Sequence, residues 1–471
     1  MSSEYRHVWI KVFSRAQTIQ RISFLWQWFT TGVPQNKLLK MHSLLVLPSD
    51  KKYDYYLYED EWMDCLRKLS NYLLSQSVDE QEKEFNQSSD AFLKVAKRVY
   101  QKDLTKWSNK KLIAWFKQHL DTYSYFSLCV FPPWAVDIIL APKLKHELEK
   151  VNPEKANAWF EAISSQTRPD RMTQQQIDLL KIGISGNFAK LKKHVQKYCW
   201  LPIYNLGEQP WTAEDFKKQL AEIKDQKREL KEKINSFKKK QSEYNTALQE
   251  IKPSPDLKRL IETVHLYTFL RNERVDKWRI VLHQIEQFYH EIARRANILP
   301  EDAANFFNEE IMNYLEKEIL PEDYAQRKTQ NALLYRDGIR KIFTKTEDIE
   351  KLRIQELGEI TKEEIKEVKG LPAYKGIVTG YVRVIRTPQD LPSLKQGEIL
   401  VAHHTSPDFV LAMKRSAAIV TDEGGITSHA AIVSRELKIP CVTATKEGSN
   451  VFKTGDFIEV NAENGVVRKL K

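Results

Sequence analysis

The sequence predicts a multidomain protein of the α + α/β class. A large, mostly helical N-terminal region carries a long antiparallel helical hairpin, and a small α/β domain of strands and short helices follows it. Three observations predict this. Only six of the 15 glycines precede residue 370, and the other nine fall in the last 102 residues. Glycine weakens helix interiors and supplies tight turns, so a helical part gives way to a strand-and-turn part. Before the change, apolar residues follow a heptad rhythm; after it, their period drops to two. The expected domains are 1–210, helical; 211–365, hairpin and connecting helices; and 370–471, the α/β unit.

The first 210 residues read as helices with aromatic clusters, Phe24-Leu25-Trp26-Gln27-Trp28-Phe29 and Tyr53-Asp54-Tyr55-Tyr56. Such clusters fill cores, although they also suit a pocket for an aromatic ligand. Phe131-Pro132-Pro133-Trp134 marks a loop. Gly183 to Asn187 lacks the lysine of a phosphate loop and reads as a turn between helices. From Phe216 the apolar steps to Leu220, Ile223, Leu230, Ile234, Phe237, Tyr244, Leu248 and Ile251 keep a heptad seam. Thr212 offers a cap at the start, and Pro253 and Pro255 end the segment. A second helix should run from Asp256 to Ala296, so two arms of about 40 residues, each roughly 60 Å long, would pair through Lys252-Pro253-Ser254-Pro255. The seam is read as an intramolecular brace, with a dimer interface as the alternative.

Composition narrows the function. The net charge of +11 admits acidic partners. However, the lysines alternate with glutamates from Lys217 to Lys240, which describes a solvated helix face, so nucleic acid is not an expected partner. Arg271, Arg274 and Arg279 are read the same way, with phosphate binding as the alternative. Cys65, Cys129, Cys199 and Cys441 lack metal-ligand spacing and are expected as small buried hydrophobes. No signal peptide or bilayer-length apolar run stands out, so a cytoplasmic protein without membrane contact is expected.

The C-terminal part reads as strands at 376–385, 398–402, 417–421, 441–444, 457–460 and 465–468, with a helix opening at Ser406-Pro407. The informative stretch joins the third strand to a helix: Thr421-Asp422-Glu423-Gly424-Gly425-Ile426-Thr427-Ser428-His429-Ala430-Ala431. The Gly424-Gly425 pair permits a tight turn, and Thr427 and Ser428 are good N-cap types. His429 then stands in the first helical turn. Imidazole is nucleophilic at neutral pH, and a helix start stabilises the anion that phosphorylation would create. His429 is therefore the candidate phosphoryl acceptor, with Gly424, Gly425, Thr427 and Ser428 around the phosphate. His403-His404 invites a metal reading. Adjacent residues on an extended segment point to opposite faces, so no metal site is expected there, and the pair should line the acceptor loop.

The run from Gly424 to Pro440, flanked by Thr405-Ser406-Pro407, Thr454-Gly455-Asp456 and Asn464-Gly465, resembles the phosphohistidine motif of phosphoenolpyruvate synthases, pyruvate phosphate dikinases and rifampin phosphotransferases. The resemblance covers 370–471. One departure is Ala444, where members of these families more often have glycine. The segments His194 to Pro202 and His290 to Arg295 resemble the helical part of the synthases more weakly.

The resemblance implies a swivelling phosphohistidine domain, phosphorylated at an ATP-grasp site and discharged at a second site. The first 369 residues show neither the glycines nor the β pattern of an ATP-grasp domain, and no phosphoenolpyruvate-binding barrel is expected in this sequence. The expected function is thus a phosphotransferase component: a phosphoryl carrier loaded at His429 by an ATP-grasp protein in trans. Mg²⁺ and ATP would sit on that partner, with no cofactor on this chain, and a pyruvate-like or other small molecule would accept the phosphoryl group. The alternatives are an interaction or regulatory protein and a subunit of a drug-modifying enzyme of the rifampin phosphotransferase type. A hinge is expected near Gly370 to Lys375, after the charged segment 361–369.

Overall fold

Capping residues set where the helices begin in the computed structural model, which describes residues 8–15, 41–49, 52–328, 330–358, 366–386, 388–405, 409–425 and 428–470. The chain forms two compact units, Met1–Ala135 with Gln166–Gly358, and Val136–Ser165 with Glu359–Lys471. The units divide differently from the expected domains. Residues 166–210 cluster with 211–358 and with 1–135, and the segment Val136–Ser165 belongs to the C-terminal unit.

In the first unit Thr212 and Asp215 form a capping box that opens helix Ala213–Ala221. That helix does not continue as one long arm. Asp225 accepts from the Arg228 N–H at 3.0 Å and starts a new helix, Gln226–Ile251. The broken arm spans about 39 Å rather than 60 Å. Lys252 turns left-handed, Ser254 caps, and Pro255 opens the 42-residue helix Pro255–Ala296. Of the heptad seam, Phe216 and Leu220 are buried ahead of the break; within Gln226–Ile251 burial is confined to residues near this turn, Tyr244, Ala247 and Ile251, and the Tyr244 ring stacks 4.0 Å from the His265 imidazole. Farther out Ile234 is 37% exposed, so this end of the seam is no sealed brace.

A sheet that the helical reading did not foresee belongs to the same unit. Its strands are β1 (Trp9–Arg15), β2 (Ser43–Ser49), β3 (Lys52–Tyr58), β4 (Ala332–Arg336) and β5 (Ile339–Phe343), in the order β1-β3-β2-β4-β5. The Tyr53-Asp54-Tyr55-Tyr56 cluster is strand β3, in keeping with the preference of aromatics for pleated surfaces. Helix Thr346–Leu357 lays Ile349 and Leu352 on Leu45, Leu47 and Ala332. The cluster Phe24 to Phe29 lies outside the described residues.

Aromatic residues do fill the helical core: Phe92, Trp115 and Phe116 stack around the His119 ring. The Phe131-Pro132-Pro133 loop is instead a one-residue bend, because Pro132 opens a new helical turn, Pro132–Ala135. One helical stretch, Asn109–Val151, is apolar enough by length and composition to cross a membrane, but 67% of its most apolar window is buried. Arg279 is not on a solvated face. It is 5% exposed, pairs with Asp276 at 3.0 Å and lies 3.8 Å over the Tyr204 ring. Cys65, Cys129 and Cys441 are buried and Cys199 is partly so, all as free thiols.

The second unit is built on eight strands: β6 (Glu367–Lys369), β7 (Leu371–Tyr374), β8 (Ile377–Ile385), β9 (Ile399–Ala402), β10 (Ala418–Thr421), β11 (Cys441–Thr443), β12 (Phe457–Asn461) and β13 (Val466–Lys469). Their order is β6-β13-β12-β8-β9-β10-β11-β7. The four central strands, β8 to β11, run parallel. Side chains alternate along them. Leu400, Ala402 and Ile419 meet Ala430, Ala431 and Val433 of helix His429–Leu437 on one face, while Ile399, Val401, Ala418 and Val420 join Ile458 and Val460 on the other. Both faces are covered, as parallel strands require.

The hinge expected near Gly370 to Lys375 is largely sheet. Gly370 N–H donates to Gly465 C=O at 2.8 Å, and β7 pairs with β11. Of the charged segment before it, 361–365 lie outside the described residues.

Candidate functional site

The site lies where β9 and β10 end. Parallel neighbours deliver their outgoing loops to one edge, so residues just past Ala402 and Thr421 are brought together. Two backbone bonds tie these exits, Asp422 N–H to Ala402 C=O at 3.2 Å and Glu423 N–H to His403 C=O at 2.9 Å.

After β10 the chain turns through Gly424, whose φ of +106° is open to glycine and strained for other residues. A Cβ there would also stand 2.7 Å from Ser428 Oγ. Gly425 matters for a different reason. A Cβ on it would lie 3.2 Å from Cβ of Asp137, on the helical turn Val136–Leu140 of the same unit, so the missing side chain permits a close approach. Ser428 is the N-cap, and its Oγ accepts from the Ala431 N–H at 3.4 Å. His429 is the first residue of the helix and is half-buried. Thr427 lies outside the described residues.

The structure adds partners that sequence reasoning had not named as site residues. Thr405 Oγ1 is 2.8 Å from His429 Nδ1, and Thr405 is itself buried. Asp422 is buried and organises the strand ends. It accepts from Ser449 N–H at 2.8 Å, from Ser449 Oγ, and from Thr445 Oγ1 at 3.3 Å, and it stands 3.2 Å from His403 Nδ1. His403 Nε2 is 2.9 Å from Glu423 Oε1. The only sequence signal for Thr405 was its place in the Thr-Ser-Pro flank. Ser449 and Asp137 carried none, because their proximity is made by tertiary packing.

Burial depresses the Arg435 guanidinium, although Glu161 opposes the shift. Burial pushes the Cys441 thiol up to about 12, so this thiol is no nucleophile near neutrality.

Comparison with known proteins places the C-terminal part. Residues 394–465 match the family described as "PEP-utilising enzyme, mobile domain". A probable phosphoenolpyruvate synthase of Pyrococcus abyssi is 52% identical over 120 residues, covering 24% of this chain and 15% of the synthase. The phosphoenolpyruvate synthase of Pyrococcus furiosus is 53% identical over 118 residues, covering 24% of this chain and 14% of that protein. A chondramide synthase of Chondromyces crocatus is 46% identical over 105 residues, covering 22% of this chain and 3% of its own length. The chain thus spans about a seventh of the length of the synthases it matches. The similarity is to one domain of those proteins.

Proposed function

We propose that this protein is a phosphoryl carrier in which His429 takes a phosphoryl group from an ATP-grasp protein and hands it to a small-molecule acceptor. The observation that carries this reading is the position of His429: first residue of a helix at the carboxyl edge of a parallel sheet, with Nδ1 held by Thr405 Oγ1 at 2.8 Å. If Nδ1–H donates to Thr405, the neutral ring keeps its lone pair on Nε2. Nε2 then attacks the phosphorus of a nucleotide phosphate on the partner. The N–P bond forms as the bond from phosphorus to the leaving phosphate oxygen breaks. At the second site an acceptor oxygen attacks the same phosphorus and Nε2 departs.

The backbone N–H groups that open helix His429–Leu437 suit the new negative charge. The Ser428 hydroxyl already caps the helix, so its part is to fix the turn that presents those groups. Mg²⁺ and ATP belong to the partner, and a pyruvate-like acceptor is in keeping with the named synthases. The unit as a whole is taken to move between the two sites.

Incubation of the full chain with Mg²⁺-ATP and a candidate ATP-grasp protein tests the reading. The expected product is a label that vanishes in mild acid, survives base and is missing from His429→Ala. A label that persists in His429→Ala places the acceptor elsewhere. A wild-type chain that stays unlabelled with every ATP-grasp partner favours a protein that keeps the fold without turnover.

A further inference from the structure

We propose that His403, His404 and Glu423 bind one divalent transition-metal ion, Zn²⁺ by preference, at the carboxyl edge of the C-terminal sheet. The reading of adjacent histidines as pointing apart assumed an extended segment. Strand β9 ends at Ala402 and the backbone bends at His403. One ligand atom from each of the three residues lies within 4.8 Å of the others. The two rings meet edge to face, with centroids 5.7 Å apart and planes at 87°. His403 Nε2 and Glu423 Oε1 are 2.9 Å apart, close to the separation of two ligands that share a small cation at about 2 Å each.

A second observation points the same way. Asp422 stands 3.2 Å from the other ring nitrogen of His403, Nδ1. A carboxylate that accepts from one imidazole nitrogen fixes the tautomer and turns the second nitrogen into a basic ligand, the usual arrangement behind a metal-bound histidine. Asp422 is held in turn by the Ser449 N–H and by Thr445 Oγ1. The ligands therefore sit on braced strand ends rather than on a free loop.

The donor set names the class of ion. Two imidazoles and one carboxylate suit Zn²⁺, Co²⁺ and Ni²⁺, whereas Mg²⁺ and Ca²⁺ prefer oxygen donors throughout. Three protein ligands leave a fourth position for water or an anion. The competing account is an ion-free cluster, with a protonated His403 between Asp422 and Glu423. The metal site stands on these residues alone and does not depend on phosphoryl transfer by His429.

Calorimetric titration of the chelator-treated full chain with ZnCl₂, in excess MgCl₂, decides between them. The expected result is one equivalent bound, and a visible d–d spectrum of tetrahedral or five-coordinate character when Co²⁺ replaces Zn²⁺. His404→Ala and Glu423→Gln should each weaken binding at least about tenfold. His404 is exposed, so its removal should leave the metal-free melting temperature nearly unchanged. His429→Asn should bind Zn²⁺ as the wild type does. Equal Zn²⁺ binding by wild type, His404→Ala and Glu423→Gln would overturn the proposal, as would no binding by wild type, displacement by Mg²⁺, or loss of binding in His429→Asn alone.

Discussion

In the N-terminal sheet every strand pair is antiparallel, and the pair that joins its two halves sets Val46 opposite Leu333. In the C-terminal sheet β8 to β11 are parallel neighbours taken in sequence order. Antiparallel strands send the chain out at alternate edges, so polar residues at their ends are scattered. Parallel strands send successive exits to one edge, and there His403, Thr405, Asp422, Glu423 and His429 meet. Both sheets bury aliphatic side chains, Leu45 and Leu47 in one and Leu400 and Ile419 in the other, so burial alone does not explain the difference. The direction of the strands does, because it decides whether the loops converge.

The comparison is broken most forcefully through two buried aspartates, Asp422 just past the end of β10 and Asp54 on β3. Asp422 satisfies Ser449, Thr445 and His403, whereas Asp54 on β3 meets the Ser14 hydroxyl and a Lys11 ammonium 3.8 Å away. Asp422→Ala should cost about 3–5 kcal/mol, because several buried donors lose their acceptor together. Asp54→Ala should cost about 1–2 kcal/mol. Denaturant unfolding of the two variants measures this. Equal losses would mean that the strand-end network is no more cooperative than a single buried contact.

Acid should next distinguish the units. His119 is fully buried in the N-terminal unit, and burial lowers its pKa from 6.5 to about 3. The unfolded chain binds this proton below about 6.5 and the folded chain does not, so the stability is present above that value and is lost as pH falls toward 3. The loss is at most about 1.4 kcal/mol per pH unit, or roughly 2 kcal/mol at pH 5. Tryptophan fluorescence reports mainly the N-terminal unit, since of the 11 tryptophans only Trp159 lies in the other unit. Its thermal midpoint should fall between pH 6.5 and 4, and His119→Phe, which keeps the aromatic stack, should flatten the slope. A slope unchanged in His119→Phe would assign the acid sensitivity to other groups.

The same contrast explains what could be read in advance. Six of the eight C-terminal strands, the N-cap at Ser428 and the helix start at His429 were legible because each is encoded within a few residues: a period-two apolar run, a glycine turn, a cap; β6 and β7 were not, and β7 lies where a hinge was expected. Sheet β1–β5 was not legible, because β2 and β4 lie far apart in sequence and neither run alone separates from its helical surroundings. The arm that was to start at Thr212 kept its heptad spacing across Glu222–Asp225, but Asp225 is a better cap than a helix interior residue. Within the site, His429 could be found by motif. The convergence of His403 with Glu423 could not, because it depends on the chain bending at His403 instead of running on extended through His404, and on the packing of two strand exits.

A finer probe is the contact between the two parallel exits. Thr405→Val keeps shape and removes the hydroxyl that holds His429 Nδ1. If the hydrogen bond orients the ring, the rate of loading should fall about threefold to tenfold, the worth of one such bond, while the melting temperature changes little. Rescue by Thr405→Ser would tie the effect to the hydroxyl. An unaffected loading rate in Thr405→Val would detach Thr405 from the chemistry and leave it a packing residue.

The smallest expected effect concerns Ala444, just past the end of β11. It adopts φ +58°, a left-handed conformation that costs a residue with a Cβ about 1–2 kcal/mol. The turn is needed, because the next two residues, Thr445 and Lys446, donate their N–H groups to Thr421 C=O at 3.0 Å and Asp422 C=O at 2.9 Å. These bonds fasten β11 to the end of β10, where Asp422 begins the loop that leads to His429. Ala444→Gly should relieve the strain, but glycine also loosens the unfolded chain by about 0.4–1 kcal/mol. The difference leaves a net stabilisation of under about 1 kcal/mol, read as a small rise in the unfolding midpoint, with loading at His429 unchanged. The tyrosine sheet in the other unit offers a matched control. Asp337, at φ +50° in the β4–β5 turn, joins two antiparallel strands and supports no loop convergence. Asp337→Gly should move the midpoint by a similar amount and leave every property of the strand-end site alone. If Ala444→Gly instead lowers the midpoint, the left-handed turn is not what holds Thr445 in place, and the link from β11 to the acceptor loop has to be sought elsewhere.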